Sequence, residues 1–120
     1  METTVVKGSR AEGVAVRALI GDGYTIVERN FRCDVGELDV VARDRDGTLV
    51  FVEIRSRRDD EHGSAIFAVG SGKRHKVARV AAAFLELRAP DYDECRFDVV
   101  AITGDRIEIV RDAWRLGDPL

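Results

Sequence analysis

Asp39 lies in Leu38-Asp39-Val40-Val41 and Glu53 in Val50-Phe51-Val52-Glu53-Ile54, each a carboxylate inside an otherwise apolar run. A buried carboxylate is costly unless it is paired or bound to a cation. Strand alternation puts residues two apart on one face, so Glu37 joins Asp39 and Arg55 joins Glu53. Asp46-Gly47, between the two runs, marks a tight hairpin that brings those faces together. Converging carboxylates repel each other, and a divalent cation relieves the repulsion while leaving positions open to water and a phosphate. Oxygen donors of this kind suit Mg2+ or Mn2+, which makes Asp39 and Glu53 the metal-ligand candidates. An ordinary ion pair on an exposed face, Glu53 with Arg55 or Asp39 with some arginine, accounts for the same pattern without a metal.

The charge distribution supplies candidate phosphate contacts. Net charge is −3, which argues against a protein that coats nucleic acid indiscriminately. Residues 91–120 hold eight acids and four bases, a net −4, so residues 1–90 carry +1. Within that longer part Lys73, Arg74, Lys76 and Arg79 form one basic cluster and Arg55, Arg57 and Arg58 another. Arg57, Lys73, Lys76 and Arg79 are the candidate nucleic-acid contacts. Gly70-Ser71-Gly72-Lys73 ahead of a helix is not a nucleotide-binding P-loop, because Phe67 stands where that pattern needs glycine and Arg74 where it needs Ser or Thr. A helix N-terminus with a nearby lysine still suits one backbone phosphate, and a solvated basic helix face explains the residues equally well.

Periodicity supplies the elements that must position these groups. Ala11, Val14, Ala15, Ala18 and Leu19 recur at helical spacing, predicting a helix from about Ser9 to Asp22 closed by Gly23. Ser9-Arg10-Ala11-Glu12 has the form of a capping box, which would occupy the Glu12 carboxylate at the helix start. Strands are predicted over Tyr24–Cys33, Leu38–Arg43 and Thr48–Arg55, followed by a long charged, glycine-rich stretch, Arg57–Gly72, that reads as a lid or substrate loop. Lys73–Arg88 is a second helix with Val77, Val80, Ala81, Phe84 and Leu87 on one face, stopped by Ala89-Pro90. Arg96–Ile102 and Arg106–Val110 read as a second hairpin, and the tail residues Ala113, Trp114 and Leu116 are expected to pack the edge of the domain, with an interface as the alternative. The order helix, three strands, helix, two strands implies an α/β fold in which the second helix is a crossover in a mixed sheet.

At 120 residues, 45% hydrophobic and 34% charged, the chain reads as one globular domain spanning 1–120. No apolar run reaches membrane-spanning length and Met1–Gly8 lacks a signal-peptide core, so a cytoplasmic protein without membrane association is expected. Cys33, Cys95, His62 and His75 are too scattered for a structural zinc site, and the cysteines read as buried, reduced thiols.

Five blocks carry a family resemblance: Lys7-Gly8-Ser9-Arg10-Ala11-Glu12, Arg29-Asn30-Phe31-Arg32, Gly36-Glu37-Leu38-Asp39-Val40-Val41, Phe51-Val52-Glu53-Ile54-Arg55-Ser56-Arg57 and Arg96-Phe97-Asp98-Val99-Val100. Together, in this order from about Lys7 to Trp114, they resemble the YraN family of uncharacterised bacterial proteins. The resemblance implies a restriction-endonuclease-like αβββαββ core, a mixed central sheet flanked by helices, distantly similar to archaeal Holliday-junction resolvases. It implies a catalytic set of an acid on the first helix, an aspartate on the second strand and Glu-x-Lys on the third. Glu12, Asp39 and Glu53 match those positions, and Arg55 stands at the lysine. Lysine can lose its proton when buried whereas arginine stays charged, so Arg55 suits water orientation or charge stabilisation and not general-base work.

The expectation is thus a divalent-metal-dependent nuclease for structured DNA, DNA favoured over RNA, using Mg2+ or Mn2+ and, by analogy, acting as a homodimer. The other class is a non-catalytic nucleic-acid- or protein-binding module that keeps the nuclease fold. Glu37 is expected in an accessory role beside Asp39.

Overall fold

The structure is a computed structural model that describes residues 4–57 and 71–115, with side chains from residue 10 in the first helix and residue 73 in the second. The elements run α1 (Thr4–Gly21), β1 (Thr25–Cys33), β2 (Gly36–Arg43), β3 (Leu49–Arg57), α2 (Ser71–Arg88), β4 (Cys95–Thr103) and β5 (Arg106–Trp114). This is the expected αβββαββ order. The strands form one sheet in the order β1-β2-β3-β4-β5. β1, β2 and β3 pair antiparallel, β3 and β4 pair parallel through the α2 crossover, and β4 and β5 close as an antiparallel hairpin.

β3 is central and covered on both faces, which is why Leu49–Glu53 is buried without a break instead of alternating. On one face α1 packs Ala15, Val16 and Leu19 against Val40, Val50, Val52 and Val100. On the other, α2 packs Val77, Val80, Ala81 and Phe84 against Phe31, Val41, Phe51 and Val99. Phe84 meets Phe31 and Phe51 edge to face, with centroids 5.2 and 5.9 Å apart. Leu87, expected on this face, is 63% exposed, because in the last turn of α2 it is Leu85 and Arg88 that pack against the core, the Arg88 guanidinium 5.0 Å over the Phe31 ring.

The hairpin between β2 and β3 differs in detail from the two-residue turn that Asp-Gly favours. Asp44 N donates to Thr48 O and Gly47 N to Asp44 O, both at 3.0 Å, with Gly47 at φ 88°. That is a three-residue loop with glycine in the left-handed position. It still makes β2 and β3 neighbours, with Val40↔Val52 as the last paired residues toward the site.

Three expectations are corrected. α1 begins at Thr4, so Ser9 lies within the helix and no capping box forms there. Trp114 is not in a tail but ends β5, 2% exposed and stacked on Phe97 at 4.1 Å between centroids. Neither cysteine is buried: Cys33 is half-buried, Cys95 is exposed, and both are free. The Arg57–Gly72 lid expectation falls mainly on residues 58–70, outside the described residues. Among the described residues, no helix is long and apolar enough to cross a membrane.

Candidate metal and phosphate site

Where the β2–β3 ladder ends, Asp39 Oδ2 accepts a hydrogen bond from Ile54 N at 2.9 Å. The carboxylate thus occupies a strand amide that would otherwise lack a partner beyond Val40↔Val52. One residue further along β3 than Val52, Glu53 is 6% exposed. Asp39 and Glu53 line one pocket of about 240 Å³, together with Glu37, Ile54, Arg55 and, from α2, Lys73, Lys76, Val77 and Val80. Two features of the sequence bring α2 this close. Its apolar stripe seats the helix on the sheet, and Gly36, at φ 152°, leaves room for it. A Cβ at Gly36 would stand 3.2 Å from both Lys76 Cε and Val80 Cγ2. Gly36→Ala is therefore expected to destabilise the fold by about 1–3 kcal/mol, read from urea denaturation, because backbone strain and crowding act together.

The electrostatics are those of desolvated acids held next to cations. Burial pushes the Asp39 carboxyl up, against the lowering effect of the Ile54 amide and Arg55. Burial also pushes Glu53 up, and the adjacent Asp39 carboxylate adds to the rise. Arg55 Nη2 lies 2.8 Å from Glu53 Oε2, and Lys73 Nζ lies 3.8 Å from the same oxygen. The Arg55 pair is close in distance but poorly aligned, since its buried Nε and Nη2 have no hydrogen-bond acceptor among the described residues.

Acids with raised values bind protons more readily folded than unfolded. Their contribution to stability is therefore greatest below the ordinary carboxylate range and is lost as pH rises through the raised folded values. Without added metal, Asp39→Asn is expected to flatten that decline above about pH 4. Urea denaturation of both proteins from pH 4 to 7 checks this, and an unchanged slope contradicts it.

The other candidates lie elsewhere. Glu12 is on the opposite face of the sheet with α1, where its Oε1 accepts from Arg29 Nε at 2.9 Å and Asn30 Nδ2 at 2.8 Å. Asn30 takes the left-handed conformation, φ 56°, that this contact accompanies. Glu12 thus ties α1 to β1 and does not line the pocket. Glu37 does line it while pairing with Arg32 at 2.9 Å. Arg57, at the end of β3, and exposed Arg79 on α2 lie outside the lining.

A second ionic cluster, centred on Asp98, which pairs with Val52 in the sheet, was not anticipated from the sequence. Asp98, fully buried on β4, accepts from Tyr24 Oη at 2.7 Å, from Arg96 Nε and Nη2 at 2.8 Å each, and from Asp112 N at 2.9 Å. Arg96 also reaches Asp44 at 2.7 Å, and Arg111 joins Asp44 to Asp22. Burial, the largest single effect, pushes the Asp44 carboxyl up, but hydrogen bonds from Arg96, the Arg45 amide and Arg111 together hold it down at about 2. The signal was present in Asp98-Val99-Val100-Ala101-Ile102, an acid opening an apolar run just as Asp39 does. The Asp98 carboxylate is satisfied by four donors within the fold, so this cluster is structural.

The donor set at Asp39 and Glu53 can be tested against a divalent cation. Among the described residues no three His, Cys, Asp or Glu side chains converge as a ready-made cage. Mg2+ does not need one, because it keeps several waters and is commonly held by one or two carboxylates together with substrate phosphate. The two acids, with cations already drawn to Glu53, fit that chemistry.

Comparison with known proteins places the sequence. The model of the uncharacterised protein family UPF0102 matches residues 11–102. A UPF0102 protein of Syntrophus aciditrophicus is 42% identical over 113 residues, covering 91% of this chain and 88% of that one. One of Dechloromonas aromatica is 42% identical over 117 residues, covering 98% and 95%. Two solved structures are similar to 83% of this chain at 21% identity: EndoMS in complex with double-stranded DNA, TM-score 0.48, and a repair endonuclease from Pyrococcus abyssi, TM-score 0.44. This chain spans 37% and 38% of their respective lengths. With a family match over most of its length and relatives aligned nearly end to end, the chain belongs to UPF0102, the YraN family.

Proposed function

We propose that this chain is a divalent-metal-dependent nuclease domain acting on structured nucleic acid, DNA in preference to RNA. The observation that carries the reading is the meeting of two desolvated carboxylates, Asp39 and Glu53, in one pocket with Arg55, Lys73 and Lys76. A bound Mg2+ or Mn2+ would supply Lewis acidity toward a phosphoryl oxygen and acidify water at neutral pH.

Asp39 and Glu53 would hold the cation, Asp39 oriented by the Ile54 amide. Arginine is not a proton acceptor in proteins, so Arg55 would serve to stabilise negative charge developing on the phosphate. Lys73 and Lys76, three residues apart on α2, bind flanking phosphates, with Arg57 and Arg79 extending the basic surface. Glu12 falls outside this set because its carboxylate is engaged by β1.

One observation favours a non-catalytic nucleic-acid-binding module instead: Glu53 is already paired with a guanidinium that cannot act as a base. The two readings separate in a cleavage assay on branched, flapped and plain duplex DNA and on structured RNA, with Mg2+, with Mn2+ and with chelator. The nuclease reading expects DNA products with metal and none with chelator. Binding to the same molecules without products under any condition would establish the module.

A further inference from the structure

Glu53 Oε2 is the negatively charged oxygen a cation would seek, and two protein cations already sit beside it. They are held differently. Arg55 is 15% exposed and fixed on β3, its guanidinium beside Glu53 and Ile54 O. Lys73 is 46% exposed on the first turn of α2, and its ammonium stands 3.8 Å from Glu53, beyond hydrogen-bond length. A lysine on a flexible four-carbon stem can leave that position without moving the backbone. Asp39 cannot substitute fully for Glu53, because one of its oxygens is committed to the Ile54 amide.

The geometry points to Arg55 and Lys73 as resident counter-ions that neutralise Glu53 and compete with a divalent cation, with Lys73 displaced from Glu53 by the cation toward a nucleic-acid phosphate. This rests on the reading of Asp39 and Glu53 as a cation site, and it adds a regulation of that site. A cation that releases Lys73 strengthens phosphate binding, and a phosphate that captures Lys73 strengthens cation binding by the same factor. The pocket then favours the cation and the substrate together over either alone.

Calorimetric titration with Mn2+ of the full chain, of Lys73→Met and of Lys76→Met tests this. Methionine keeps much of the apolar stem while removing the charge, and both positions are exposed, so folding is retained. Lys73→Met is expected to bind Mn2+ about tenfold more tightly than the parent, since a unit charge about 4 Å from the ligand oxygen has been removed. Lys76→Met removes the same charge from the same helix without a pair to Glu53, and is expected to change affinity by less than about threefold. Mn2+ binding by the parent with no tightening in Lys73→Met, or with equal tightening in both variants, overturns the counter-ion role and leaves the cation site standing. No Mn2+ uptake by any of the three proteins overturns the role and the cation site together.

Discussion

Replacing Asp98 by alanine is expected to cost about 3–5 kcal/mol of folding stability, the range seen when one partner of a buried ion pair is removed. The carboxylate is fully buried and accepts from Tyr24, from two nitrogens of Arg96 and from the Asp112 amide. Its loss leaves the Arg96 guanidinium paired with Asp44, takes the acceptor from the Tyr24 hydroxyl and frees the left-handed turn at Asp112, φ 53°, that breaks the β4–β5 register. Asp98→Asn keeps the shape and part of the bonding, so a smaller cost is expected. Urea denaturation measures both. A loss below about 1 kcal/mol for Asp98→Ala, the level of an exposed ion pair, would show that the cluster is not what joins the α1–β1 connection to β4 and β5.

Asp39→Asn and Glu53→Gln are each expected to lower metal-dependent cleavage about a hundredfold or more, since even groups that only orient metal ligands contribute about 10–100-fold. Both substitutions are nearly isosteric and remove a desolvated charge, so folding should be retained. In Asp39→Asn the carbonyl oxygen of the new side chain can still accept from the Ile54 amide, which separates loss of the charge from loss of the strand contact. Arg55→Lys asks a different question. If Arg55 acts as a fixed charge, lysine preserves cleavage; if the site lacks a group that can release a proton, lysine raises it. The comparison uses single-turnover rates at matched protein concentration with saturating Mg2+. Cleavage that survives in both carboxylate variants would remove Asp39 and Glu53 from the chemistry.

How much of this was legible in the sequence follows from where each signal resides. The α2 stripe and the Ala89-Pro90 stop are local, and helix and boundary came out nearly as expected, with Ala89 taking the left-handed conformation at φ 44° that usually falls to glycine. The neighbouring of β2 and β3 was legible because Asp46-Gly47 separates two apolar runs. The start of α1 was not, because Ser9-x-x-Glu12 imitates a cap while the Glu12 carboxylate is taken by Arg29 and Asn30 from another element. Strand alternation is interrupted at Asp112, which hid the last part of β5 and the burial of Trp114. Pairings between distant residues, Tyr24 with Asp98 or Glu53 with Lys73, leave no periodic trace. For the same reason the sequence could place Lys73 on a basic helix face but not beside Glu53.

Diffraction from crystals grown with Mn2+, recorded near the manganese absorption edge, decides whether Asp39 and Glu53 form a cation site. An anomalous peak is expected in the pocket between the two carboxylates, with Lys73 drawn away from Glu53. Well-ordered carboxylates with no peak between them at saturating Mn2+, and Arg55 and Lys73 still paired to Glu53, would contradict the assignment.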